Sequence, residues 1–61
     1  MKELKEYRER LKLTQQKMAE RWNISKSYYE KMESGQRKPG TNVLKIIKQV
    51  DPELDITIFL N

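Results

Sequence analysis

Apolar residues fall along this chain in short groups at helical spacing. Over residues 2–12, Leu4, Tyr7 and Leu11 recur at i, i+3 and i+7 among alternating charges, the stripe of an amphipathic helix. Glu beside Lys or Arg at close spacing keeps the other face solvated. Leu13-Thr14 interrupts the pattern, and the Thr14 hydroxyl suits the free N–H groups of a following turn. Met18, Ala19 and Trp22 then share one face of a short second helix over residues 15–22. Asn23 follows, one of the few non-glycine residues that tolerate the left-handed backbone ending many helices. After a lone apolar Ile24, Ser25 offers a second cap. A third helix is predicted over about residues 26–34, with Tyr29 and Met32 on one face. Gly35 stands where that helix stops, before the polar, basic loop Gln36-Arg37-Lys38-Pro39-Gly40.

A fourth helix starts at Gly40 or Thr41. It carries Val43, Leu44, Ile47 and Val50 at i, i+1, i+4 and i+7, and Asp51-Pro52 ends it. The tail Asp55-Ile56-Thr57-Ile58-Phe59-Leu60 sends two signals. Its alternation and β-branching suggest a strand; Asp55 as a cap suggests a fifth short helix, the reading we adopt. No internal repeat, linker or low-complexity segment stands out. The pattern predicts an all-α, compact bundle of four to five helices in a single domain over residues 1–61.

Composition narrows the chemistry. Cysteine and histidine are both absent, which excludes disulfides, thiol nucleophiles, imidazole catalysis and the usual zinc sites, so no metal and no cofactor is expected. Two glycines make no phosphate-binding loop. The carboxylates form no spaced pair beside an inferred apolar cleft, so an enzyme is not expected. No run approaches a membrane span and Met1-Lys2-Glu3-Leu4 opens no signal peptide, which points to the cytoplasm. A chain of about 60 residues buries only roughly 60% of its unfolded surface, so helical economy or a partner chain has to help. Thirteen Lys and Arg against nine Asp and Glu leave +4, a balance that favours an anionic partner, most simply nucleic acid.

Helices two and three, joined by Trp22-Asn23-Ile24-Ser25, form a candidate helix-turn-helix. Such a motif needs a small residue where the helices cross, here Ala19, and an apolar residue plugging the turn, here Ile24. At about 100° per residue, Tyr29, Met32 and Glu33 face one side of helix three and Ser27, Glu30 and Lys31 the other, flanked by Lys26 and Tyr28. The outward groups are of a size and polarity to reach base edges or phosphates. Glu33 is out of place on the inward stripe, and a buried carboxylate needs a partner. Arg8, one turn after Leu4 on the inward side of helix one, is the candidate partner; the pattern alone equally admits two exposed charges that never meet.

The run Leu4-x-x-Tyr7-Arg8 … Leu13-Thr14-Gln15-x-x-Met18-Ala19-x-x-Trp22-x-Ile24-Ser25-x-Ser27-x-Tyr29-x-x-Met32-Glu33-x-Gly35-x-Arg37-Lys38-Pro39 closely resembles the Cro/repressor, or XRE, type of helix-turn-helix, over about residues 4 to 50. The resemblance implies a lambda-repressor-like bundle that binds operator DNA as a two-fold homodimer. It implies base readout by Lys26, Ser27 and Lys31. It implies backbone contacts by Gln15, Gln36, Arg37 and Lys38, and a buried Arg8–Glu33 pair; Thr14, Lys17 and Tyr28 are read beside them as backbone candidates, with simple surface exposure equally open for Tyr28. It places the dimer contact in the C-terminal segment, at Leu54, Ile56, Ile58, Phe59 and Leu60; these cannot all find cover in so small a bundle, so part of the tail is expected to fold back on helices one and four and the rest to form an exposed apolar patch. Asn23 stands where the family usually has Gly, Trp22 where it has Leu, and Tyr29 where it has a β-branched aliphatic residue, so the core is expected to be repacked around aromatics. Asp51-Pro52-Glu53 departs from the family's usual length.

The leading functional expectation is a sequence-specific regulator on double-stranded DNA, a repressor of phage, plasmid or restriction–modification controller type. No effector domain is recognised beside it, so a regulatory protein is a further candidate partner. An antitoxin, or a protein-interaction module that keeps the fold without binding DNA, is the alternative. The basic excess across residues 25–40 favours DNA.

Overall fold

A computed structural model describes residues 1–60. The chain runs α1 (Lys2–Arg10), α2 (Gln15–Arg21), α3 (Lys26–Ser34), α4 (Thr41–Val50) and a closing 3-10 turn (Ile56–Phe59), with no strand among the described residues. The predicted bundle is therefore present, and the tail follows the helical branch of its two signals. Asp55 caps that turn by accepting from the Thr57 amide at 3.0 Å and the Thr57 hydroxyl at 2.7 Å.

The first three helices end in the same way. Lys12, Asn23 and Gly35 each adopt left-handed backbone, with φ of 59°, 56° and 83°. In each case the next amide reaches back to a carbonyl five residues earlier: Leu13 to Arg8 at 3.3 Å, Ile24 to Ala19 at 3.0 Å and Gln36 to Lys31 at 2.9 Å. This closure satisfies carbonyls that a helix end otherwise strands. Two of the closures continue identically. Lys12-Leu13-Thr14 and Asn23-Ile24-Ser25 each supply a left-handed residue, an apolar plug and a hydroxyl cap. Thr14 accepts from the Lys17 amide at 3.1 Å and Ser25 from the Tyr28 amide at 3.0 Å. The connector thus occurs twice, although the sequence pattern shows no repeat. Helix one ends at Arg10 rather than Lys12, because Lys12 is needed in the left-handed position.

Leu4, Tyr7, Met18, Ala19, Trp22, Tyr29, Met32, Ile47, Leu54 and Phe59 form the core. The Trp22 and Tyr29 rings lie 5.8 Å apart in a tilted arrangement favourable to aromatic pairs. Ala19, fully buried, admits α3 against α2.

Two buried carboxylates bind the elements together. Glu33 accepts from Arg8 Nε at 2.9 Å, Arg8 Nη2 at 3.1 Å, Tyr29 Oη at 2.6 Å and Gln15 Nε2 at 3.2 Å, joining α1, α2 and α3. Arg8 also donates to the Leu13 carbonyl at 2.8 Å, and the Met1 amino group reaches the Glu33 carbonyl. Asp51, with no exposed surface, accepts from Tyr7 Oη at 2.6 Å, Trp22 Nε1 at 2.7 Å and Arg21 at 2.7 and 2.9 Å. It joins the end of α4 to α1 and α2. Among the described residues no buried side-chain polar atom lacks a partner.

Candidate nucleic-acid interface

The site is built on α3. Tyr29, Met32 and Glu33 turn into the core, while Lys26, Ser27, Glu30, Lys31 and Ser34 are exposed. The helix thus presents a polar face backed by packed aromatics, with the small Ser27 and Ser34 set among the longer Lys26, Glu30 and Lys31. Ser27 and Lys31 line one shallow hollow together with Glu30, Ser34 and Gln36, so the structure brings the base-reading candidates and the start of the loop side by side. Lys26 stands on the first turn of α3, held by the Ser25 cap.

The phosphate-binding candidates lie around this face in different environments. Thr14 and Gln15 sit at the start of α2. Thr14 is committed through its oxygen to the cap, and its hydroxyl hydrogen remains free to donate. Gln15 spends one amide hydrogen on Glu33 and keeps the other. It lines a second hollow with Lys2, Lys5, Glu30, Glu33 and Ser34. Lys2 and Lys5 were not among the sequence candidates, because charges at alternating positions on α1 gave no hint of which stripe would lie beside α2 and α3. Lys17 points to solvent, 3.6 Å from Glu20, in an exposed i, i+3 pair of little energetic weight. Gln36, Arg37 and Lys38 are exposed on the loop after α3. Tyr28 is half-buried. Its ring lies under the Arg37 guanidinium at 4.2 Å, and its hydroxyl oxygen accepts from the Gly40 amide at 2.9 Å.

Electrostatics separate the two ends of the molecule. Glu3, Glu6, Glu9, Glu53 and Asp55 line a groove of about 690 Å³ between α1 and the C-terminal segment, with Arg10 as its single cation and Tyr7, Leu54 and Ile58 as its apolar lining. Twelve of the thirteen cations and four of the nine carboxylates therefore lie elsewhere, a balance of +8 against −4 at the groove.

The buried carboxylates are held charged. Burial pushes the Glu33 carboxyl up, but hydrogen bonds from Arg8 and Tyr29 outweigh it and keep the group below its ordinary range. Asp51 behaves likewise, with burial outweighed by the bonds from Arg21, Tyr7 and Trp22. Burial, then the Glu33 contact, pushes the Tyr29 hydroxyl well above its ordinary value; burial and the Asp51 contact do the same for Tyr7. Both phenols thus remain donors.

The tail divides between the core and the surface. Leu54 is 8% exposed and Phe59 3%, so both spend their surface in the protomer's own core. A 3-10 turn has about three residues per turn, which places Ile56 on the same side as Phe59. Ile56 and Ile58 are half-buried, and Leu60 is 69% exposed. Val50, absent from the sequence candidates for this contact because it continues the inward stripe of α4, is 39% exposed.

Paired short helices with a left-handed turn between them, and a polar second helix backed by an aromatic core, define a helix-turn-helix DNA-binding domain. A family model described as helix-turn-helix matches residues 4–50, and the chain belongs to that family, of the Cro/XRE type. No curated protein and no solved structure matches it. The family is one of DNA-binding transcription regulators and is non-enzymatic. Among the described residues no helix is long and apolar enough to cross a membrane.

Proposed function

We propose that the protein is a transcriptional repressor that acts in the cytoplasm as a homodimer on a two-fold operator, with residues 1–61 serving as one DNA-binding unit. The observation that carries this reading is the division of α3 into a buried aromatic and acidic side and an exposed side bearing Lys26, Ser27, Glu30 and Lys31. A helix of this kind enters the major groove, where Lys26 and Lys31 donate to guanine acceptors and Ser27 bonds either way. Glu30, on the same face, accepts from a cytosine amino group. Thr14, Gln15, Lys17, Gln36, Arg37 and Lys38 grip phosphates on either side, with the Tyr28 ring beside them under Arg37. Repression requires only that the operator be occupied, which a domain of this size achieves.

Charge and exposure support one place for the dimer contact. A two-fold interface sets the same patch against itself. Groove against groove would oppose two sets of five carboxylates, so the contact falls instead on Val50 and Leu60, at the end of α4 and the tail. Selection of bound sites from random duplex DNA tests the reading. A palindromic consensus with half-sites about one helical turn apart is the expected result. An asymmetric consensus excludes the two-fold dimer, and the absence of any enrichment excludes sequence-specific binding.

A further inference from the structure

Residues 36–40 carry the loop cations yet are tied at both ends to α3. At the start, the Gln36 and Arg37 amides both reach the Lys31 carbonyl, at 2.9 and 3.2 Å. Pro39 is buried. At the far end, the Gly40 amide donates to Tyr28 Oη at 2.9 Å, and Tyr28 sits on the first turn of α3. The loop leaves the end of the recognition helix and is fastened back to its beginning. Arg37 rests on the same ring, 4.2 Å from its centroid.

We propose that Tyr28 is a positioning residue for DNA binding, setting Arg37 and the start of α4 in register with the base-reading face of α3, and is not itself a phosphate ligand. This rests on the DNA-binding reading above. Three chemical features support it. The phenol oxygen accepts from Gly40, whose amide precedes α4 and has no partner inside that helix. The ring face takes the cation from below, and a stacked guanidinium keeps its in-plane N–H donors at its edge, open to a phosphate. The loop is then ordered before DNA arrives, so binding does not have to order it. The Gly40 contact uses only the phenol oxygen as acceptor, so a tyrosine that also donated its hydroxyl hydrogen to a phosphate would act independently of Arg37, which the double variant distinguishes.

The experiment has one arm without DNA and one with it. In the free protein, hydrogen exchange at the Gly40 amide should be slow, and Tyr28→Phe should accelerate it several-fold with thermal stability nearly unchanged. An unaltered exchange rate overturns the clamp. In the second arm, a fluorescein-labelled duplex of arbitrary sequence at low salt is titrated with wild type, Tyr28→Leu, Arg37→Ala and the double variant. Each single change should weaken binding by roughly three- to tenfold, in keeping with one cation–aromatic or phosphate contact. The double variant should be little weaker than Arg37→Ala alone, because Tyr28 acts through Arg37. Tyr28→Phe, which keeps the ring, should preserve the wild-type salt slope, while Tyr28→Leu lowers it by up to about 0.9, the share of one phosphate. Losses that simply multiply in the double variant overturn the positioning role. Wild-type protein that fails to bind the duplex at all refutes the DNA-binding reading, and the Gly40 exchange still decides the clamp by itself.

Discussion

The indole N–H of Trp22 donates to Asp51 Oδ2 at 2.7 Å, fastening the end of α2 to the end of α4 at a point with no solvent access for either residue. Tyr7 and Arg21 converge on the same carboxylate, so three elements meet at one side chain. Asp51→Ala strands the Trp22 donor, at about 1–3 kcal/mol, and unpairs Arg21, while the Tyr7 hydroxyl keeps Glu53 Oε1 at 2.9 Å. A domain of this size holds only about 3–9 kcal/mol of stability. Urea unfolding followed by Trp22 fluorescence should show a large fall in midpoint for Asp51→Ala and a smaller one for Asp51→Asn, which keeps an acceptor. An unchanged midpoint in the alanine variant would contradict the role given to this carboxylate.

Stability should depend on acid in a defined direction. Both Glu33 and Asp51 have folded values held below their ordinary ones of 4.5 and 3.8. A depressed carboxylate stabilises the fold above its unfolded pKa, and that contribution is lost as pH falls through the folded value. Thermal melts should therefore be flat with respect to these groups at neutral pH and decline below about pH 4.5. The double variant Glu33→Gln, Asp51→Asn should be less stable at pH 7 and should decline less in acid. Parallel pH profiles for the variant and wild type would exclude the two groups as the cause. Removing the Glu33 carboxyl altogether leaves Arg8 in a mostly dry site, and a loss of about 3–5 kcal/mol is expected for Glu33→Ala.

Lys12 and Asn23 occupy equivalent left-handed positions with unequal aptitude. An L-residue in this conformation costs about 1–2 kcal/mol, less for Asn than for Lys. Lys12→Asn should thus raise the melting temperature slightly, and Lys12→Val should lower it, since a β-branched residue is least tolerant of positive φ. Equal stability of the asparagine and valine variants would mean that the backbone at residue 12 relaxes freely.

Readout and anchoring should separate by mutation. Lys31→Ala or Ser27→Ala is expected to alter base preference at one position by roughly 1–3 kcal/mol. Arg37→Ala or Lys38→Ala should weaken all sequences alike and reduce the salt slope by about 0.9 each. Repeating the site selection with each variant checks this. A Lys31→Ala protein with the full wild-type preference would remove that residue from base readout.

The tail should divide into core and contact. Phe59→Ala is expected to cost the protomer about 3–5 kcal/mol, as for other buried aromatics. Leu60→Lys and Val50→Lys should leave the melting temperature nearly unchanged and shift sedimentation on a two-half-site duplex from two chains to one. A Leu60→Lys, Val50→Lys protein that still loads as a pair would move the dimer contact elsewhere.

Four helices, their caps at Thr14 and Ser25 and the stop at Gly35 were legible along the chain. So was the outward face of α3, because 3.6-residue periodicity and hydroxyl or glycine punctuation are local properties. The polar character of that face follows from the same arithmetic, which is why Ser27, Glu30 and Lys31 could be placed on the outward side from spacing alone. Glu33 was legible as an anomaly, a carboxylate on an apolar stripe, and its anomaly pointed inward toward Arg8.

Asp51 gave no such sign. At the end of α4 it reads as a helix stop, and nothing near it in sequence announces that Tyr7 and Trp22, 44 and 29 residues away, need an acceptor there. Tyr28 was equally opaque: its position on α3 shows it to be flanking, but only the return of the loop brings Gly40 and Arg37 onto it. The tail was undecided between strand and helix, and the choice came from Phe59 finding space in the core and Asp55 capping the turn that takes it there. The division has one physical cause. Periodicity and capping act over three to five residues, so order along the chain expresses them. Partner choice for a buried charge, a phenol or a terminal aromatic is set by which surfaces remain uncovered once the helices have packed, and that is a property of the assembled molecule.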